Sequence, residues 1–204
     1  MIVTDLQKDA IRELINIAVG RAAGMLNTLI DKHLTLFVPE SKLVKPSEID
    51  IENHYLREET LACVSMNFKN AISGNCKMIF PWSDAEKLVN LFTNDNLISD
   101  NFEEVRAAVL SEVGNIVLNS LMGTISNLVN SSFIYQVPNY TEGHFDVIFD
   151  FNNLDENSFV LIAKTQFKID DLEIFGDLMI FLQLDYLEIF LNKVDFFAEH
   201  FGQH

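Results

Sequence analysis

The stretch Asp9-Ala-Ile-Arg-Glu-Leu-Ile-Asn16 sets an Asp, a Glu and an Asn at i, i+4 and i+7, and 22 residues separate Asn16 from Pro39. The stretch AVLSEVGN, residues 108–115, returns the last two as Glu112 and Asn115, and again 22 residues lead to a proline, Pro138. Positions 16 and 115, like 39 and 138, differ by the same 99 residues. Only the leading acid changes, Asp9 giving way to Ala108. A three-point pattern that recurs at one offset makes the chain a single domain, 1–204, built from an internal repeat of about 1–98 and 99–204.

Around each copy the hydrophobic period is helical. Thr4 with Gln7 forms a capping-box pattern ahead of a helix running to about Ile30. Ile11, Leu14, Ala18, Ala22, Met25 and Leu29 fall on one stripe, and Asp9, Glu13, Asn16 and Gly20 lie about 140° to 200° away from it. The second helix, about Phe102 to Val129, carries Leu110, Val113, Val117, Leu121 and Leu128 on its stripe and Glu112, Asn115 and Asn119 opposite. Both constellations therefore face out from the core. Gly20 and Gly24 read as close helix packing.

Further along, Leu34 to Val38 reads as a strand ending at Pro39, and Thr60–Phe68 with Asn75–Phe80 as a hairpin. Ser83 or Asp84 caps a short helix to about Phe92, and a polar joint over 93–101 separates the halves. The order then repeats: a strand Phe133–Val137 ending at Pro138, a short strand at Phe145–Phe149, a long hairpin Ser158–Ile169 and Leu172–Leu182, and a last helix from Asp185 to about Glu199. The fold class expected is α+β. Two pseudo-symmetric α-β-β-β-α halves form one antiparallel sheet of roughly six main strands, covered by long helices.

Composition narrows the function. With 204 residues and 49% apolar content the chain can bury a sizeable core. A net charge of −16 repels a phosphate backbone and an anionic bilayer, which argues against nucleic-acid and membrane partners. Met1 to Lys8 lacks the pattern of a leader, and no apolar stretch approaches the roughly 20 residues that cross a bilayer, so a cytoplasmic location is expected. Cys63 and Cys76 read as buried free thiols, and the five histidines show no zinc-ligand spacing, so no metal of its own is expected.

An outward Glu with an Asn one turn along has a specific chemical capacity. A carboxamide both donates and accepts, so it can orient a water without acting as a base. The carboxylate can pair with a partner's lysine or meet a partner's metal ion. The pair offers no nucleophile and no histidine base. It suits in-line attack by a positioned water on a reactive phosphoryl group, where placement and electrostatics supply most of the catalysis.

The patterns Asp9-xxx-Glu13-xx-Asn16-x22-Pro39 and Glu112-xx-Asn115-x22-Pro138 resemble the signature of the CheC/CheX/FliY family of chemotaxis phosphatases, with the doubled form most like two-site CheC. That resemblance implies hydrolysis of the aspartyl phosphate of a CheY-like response regulator. Asn16 and Asn115 would position the water, and Glu13 and Glu112 would engage the receiver's lysine. Asp9, Pro39 and Pro138 support the two sites, and the Mg2+ belongs to the receiver. It also implies CheD as a further partner, and a monomeric pseudo-dimer because both sites lie on one chain. The alternative is a non-catalytic adaptor that binds a receiver or CheD through the same face.

Overall fold

The computed structural model describes residues 3–30, 33–49, 60–70, 72–93, 102–149, 158–169 and 171–201. Helix α1 (Asp5–Ile30) begins at the capping box the sequence signals. The Thr4 amide donates to Gln7 Oε1 at 3.0 Å, and the Gln7 amide donates to Thr4 Oγ1 at 3.2 Å. Strand β1 (Leu34–Val44) follows, then the hairpin β2 (Leu61–Asn70) and β3 (Gly74–Pro81), and helix α2 (Trp82–Thr93). The second half runs through α3 (Phe102–Val129), β4 (Phe133–Tyr135), β5 (Asn139–Gly143) and the single turn α4 (Phe145–Ile148). It closes with the hairpin β6 (Ser158–Ile169) and β7 (Leu172–Gln183) and helix α5 (Leu184–Phe201).

All seven strands belong to one sheet in the order β1-β6-β7-β3-β2-β4, with β5 also paired to β2, and every pairing is antiparallel. The two hairpins meet at the centre, where β3 lies against β7 from Gly74↔Leu182 to Ile79↔Asp177. Each outer position is taken by a strand from the other half of the sequence. β1 covers the free side of β6, and β4 and β5 cover that of β2. Neither hairpin keeps a bare long edge, which would invite pairing with another chain.

Helices α1 and α3 seal one face of this sheet. Ala18, Val19, Ala22 and Leu26 of α1 and Val113, Val117, Leu118 and Leu121 of α3 are wholly buried. The buried arc of α1 passes through positions 18, 22 and 26, so Met25 (45% exposed) and Leu29 (54%) lie outside the core, contrary to the stripe read from the sequence. Where the helices meet, Ser120 Oγ donates to the Ala18 carbonyl at 2.7 Å and Arg21 to Thr124 Oγ1 at 3.3 Å. Gly20 and Gly24 take no part in close packing: both are exposed, and a Cβ on either would touch nothing. The close approach falls at Gly114, where an added Cβ would lie 2.5 Å from Val64 Cβ.

Helix α3 is long and apolar enough, by length and composition, to cross a membrane, which the sequence reading overlooked. Half of that apolar window is buried inside the fold, where the helix lies against α1 and the sheet.

The opposite face carries a second core, in which Leu61, Cys63, Ile79, Val160 and Met179 are covered by Ile49, Phe145, Ile148 and Phe149. The last three correct the strand expected at Phe145–Phe149. Spacing of i, i+3 and i+4 buries all three and leaves Val147 61% exposed, whereas an alternating strand would have buried Val147 with Phe145 and Phe149 and turned Ile148 to the other face. Cys63 and Cys76 are free thiols in different cores, and burial pushes both up to about 12.

Strand β1 also differs from its expected form. It runs straight through Pro39, because Val38 and Pro39 together face the single residue Thr165, between the pairs Phe37↔Gln166 and Glu40↔Lys164. This is a β-bulge on an edge strand, a place where proline costs no ladder bond. The extra residue reverses which side chains point where. Leu34, Leu36 and Val38 enter the helix-side core, yet Val44, at the same parity, enters the opposite one.

Gly114→Ala tests the helix–sheet contact. The substitution gains up to about 1 kcal/mol in helix propensity and loses about 1–3 kcal/mol to overpacking against Val64. The expected outcome is a lower urea midpoint with an unchanged slope, recovered at least in part by adding Val64→Ala.

Candidate functional site

Glu13 is exposed and Asn16 half-buried on α1, and Glu112 and Asn115 take the same two states on α3. The four residues therefore line the outward sides of the two helices that close the core, as the periodicity predicts. Asp9 and Glu13 also line one open groove between α1 and α5, with Leu6, Ala10 and Arg12 on one side and Phe197 and Ala198 on the other. Gln7 ties the two helices beneath it, its Nε2 donating to Asp195 Oδ2 at 3.1 Å.

The leading acid has a local task. Asp9 accepts from Arg12 at 3.0 Å across one helical turn, and both side chains are well exposed. At the corresponding places on α3 stand Ala108 and Ser111, so acid and base are absent together and no charge is left over.

The two asparagines are held differently. Asn16 Oδ1 accepts from the Val38 amide at 2.8 Å, and its Nδ2 donates to the Val38 carbonyl at 3.3 Å. Val38 lies at the bulge of the edge strand β1, and the carboxamide pairs with its backbone donor and acceptor as a neighbouring strand would. Asn115 instead accepts from Asn119 Nδ2 at 2.6 Å. Among the described residues no hydrogen bond joins it to Val137, which is 88% exposed between β4 and β5. Contrary to the strand expected over Phe133–Val137, β4 stops at Tyr135 and Pro138 lies in the connection just before β5, while Pro39 lies within a long strand.

Several contributors were not legible from the motif. The backbone of Val38 is one, Asn119 as a hydrogen-bond donor is another, and the buried base of α3 is a third. Arg106, 4% exposed, grips Glu142 of β5 through three hydrogen bonds of 2.9 to 3.0 Å and stacks over Trp82 at 4.2 Å and Phe102 at 5.3 Å. Tyr140 donates to the same carboxylate at 2.5 Å, and burial, then that bond, raises its phenol well above the usual range. Arg106 is itself held above its ordinary value: burial works against its charge, and its interactions with Glu142 and Tyr140 together more than offset that. This network fixes α3 just before its Ala108–Asn115 face. An Arg in an apolar-looking helix with its acid 36 residues away gives no local sequence signal.

Among the described residues no group of three or more His, Cys, Asp or Glu side chains is arranged to hold a metal ion.

No family model matches the chain. Among curated proteins it is similar to the CheY-P phosphatase CheC of Bacillus subtilis, 24% identical over 135 residues, which is 65% of this chain and 64% of that protein. The match thus spans less than two thirds of that relative's length. Among solved structures it resembles Thermotoga maritima FliY, with a TM-score of 0.73, 17% identity and coverage of 96% of this chain and 98% of that one. A chain of the FliM–SpeE complex from Helicobacter pylori gives a TM-score of 0.69 and 12% identity, covering 95% and 97%. A chain of the CheX–CheY–BeF3–Mg2+ complex from Borrelia burgdorferi gives 0.54 and 14%, covering 84% and 99%. These structural likenesses establish the fold. The match to CheC adds a sequence similarity over about two thirds of this chain.

Removing the Arg106 guanidinium tests how α3 is seated. Arg106→Met leaves Glu142 half-buried without its main partner, at a cost of about 3 kcal/mol, while Glu142→Gln keeps one acceptor and costs less. Urea denaturation of both variants measures the difference, and equal loss for the two would contradict the ion-pair account.

Proposed function

We propose that the protein is a phosphatase acting on the aspartyl phosphate of a CheY-like receiver domain. The observation that carries this reading is the doubled Glu-xx-Asn face, outward on two helices whose other sides are locked into one core. In the reaction a water attacks phosphorus in line and the phosphorus–oxygen bond to the receiver's aspartate breaks. The carboxylate stays on the receiver and inorganic phosphate leaves. Asn16 or Asn115 orients the water, Glu13 or Glu112 meets the receiver's lysine, and Mg2+ bound by the receiver offsets the phosphoryl charge. This chain supplies placement alone, which is what two carboxylates and two carboxamides can supply.

On this reading one chain carries two sites, acts as a monomeric pseudo-dimer derived from an internal repeat, and works in the cytoplasm. CheD is a second proposed partner. The opposing reading is a non-catalytic adaptor. It is favoured by the bonds that already occupy both asparagines, and by the likeness to a chain of the FliM–SpeE complex.

Phosphate loss from a phosphorylated receiver, followed with wild-type protein, Asn16→Ala, Asn115→Ala and the double variant, decides between them. Acceleration by the wild type that falls about 10²-fold or more in the double variant supports the phosphatase. Binding without acceleration supports the adaptor.

A further inference from the structure

The spacing of 22 residues between Asn16 and Pro39 has a mechanical meaning at the first face. Pro39 has no amide hydrogen, and as a proline it keeps the preceding Val38 extended. Both residues face the one residue Thr165, and the Val38 backbone is bonded to Asn16 by donor and acceptor together. A carboxamide has two hydrogens and two lone pairs, and its two ends are otherwise interchangeable by a half-turn. Here a half-turn would set Nδ2 against the Val38 amide and Oδ1 against its carbonyl, donor to donor and acceptor to acceptor.

We propose that the Val38–Pro39 bulge is the positioning element of the first face: it locks the Asn16 carboxamide in one orientation, leaving one N–H and one lone pair in fixed places for a ligand. The consequence for catalysis rests on the phosphatase reading; the lock itself does not. Asn115, paired with the side chain of Asn119 and unbonded to Val137, has no such lock. The two prolines of the repeated pattern therefore do different work, Pro39 acting on its asparagine and Pro138 not.

Two measurements on the full chain test this. In the nuclear magnetic resonance spectrum, the Asn16 side-chain amide should show one hydrogen protected from exchange, and Pro39→Ala, which lifts the restriction that a following proline places on the Val38 backbone, should remove the protection. Pro138→Ala should leave the Asn115 amide unchanged. In the receiver assay, Pro39→Ala placed in an Asn115→Ala background should lower kcat about 10-fold with KM within about twofold. Pro138→Ala in an Asn16→Ala background should lower kcat less than Pro39→Ala does in the Asn115→Ala background.

Unprotected Asn16 hydrogens in the wild type, or protection that survives Pro39→Ala, would overturn the lock. So would a loss of kcat from Pro138→Ala as large as that from Pro39→Ala. If neither single-site background hydrolyses the receiver phosphate while the exchange pattern holds, the lock stands and the phosphatase reading fails.

Discussion

Ala18, Val19 and Ala22 of α1 and Val117, Leu118 and Leu121 of α3 are sealed between one sheet and each other, and this shared burial decides what either helix can show to a partner. Once those residues point inward, a repeat of 3.6 residues per turn leaves no choice about Glu13, Asn16, Glu112 and Asn115. They stand outward whatever the loops do. The sheet is fixed in turn by its central β3–β7 pairing and by the exchange of outer strands between the sequence halves. A chain with this connectivity cannot separate its halves without baring β6 on one side and β2 on the other. The two faces are thereby carried by one rigid scaffold.

On that scaffold the faces share residue types and differ in support. The first has the Asp9–Arg12 pair, the groove with α5 and the bulge of β1 behind Asn16. The second has Ala108 and Ser111, the Asn119 side chain, and the Arg106–Glu142 network beneath it. Fixing an amide by a backbone residue and fixing it by another amide are unequal constraints. A backbone pair distinguishes donor from acceptor, and an asparagine pair does not.

Much of this was legible in the sequence, for identifiable reasons. The limits of α1 and α3 follow from strong helical periodicity, a capping box and the polar joint, and the outward placement of the four site residues follows from the same period. The antiparallel hairpins were legible from β-rich runs bounded by turn residues. The misreadings share one cause, a local signal overruled by tertiary pairing. Pro39 reads as a strand end because proline belongs at a strand end or edge, whereas the bulge continues the strand and changes its face. Phe145–Phe149 is rich enough in β-formers for a strand, yet its apolar spacing fits one turn over the second core. Gly20 and Gly24 suggest close packing by type, but the constraint sits at Gly114, where Val64 leaves no room for a Cβ. The Asn16–Val38 pair had no sequence signal beyond the 22-residue spacing, since its acceptor and one donor are backbone groups.

The proposed function requires a receiver to dock on the outward turns of α1 and α3. Hydrogen exchange of this chain, with and without a receiver activated by Mg2+ and beryllofluoride, tests it most directly. Slowed exchange confined to residues 9–16 and 108–115 and their immediate neighbours is the expected result. Protection concentrated instead on the β4–β5 edge or on α2, with both helix faces unchanged, would contradict it.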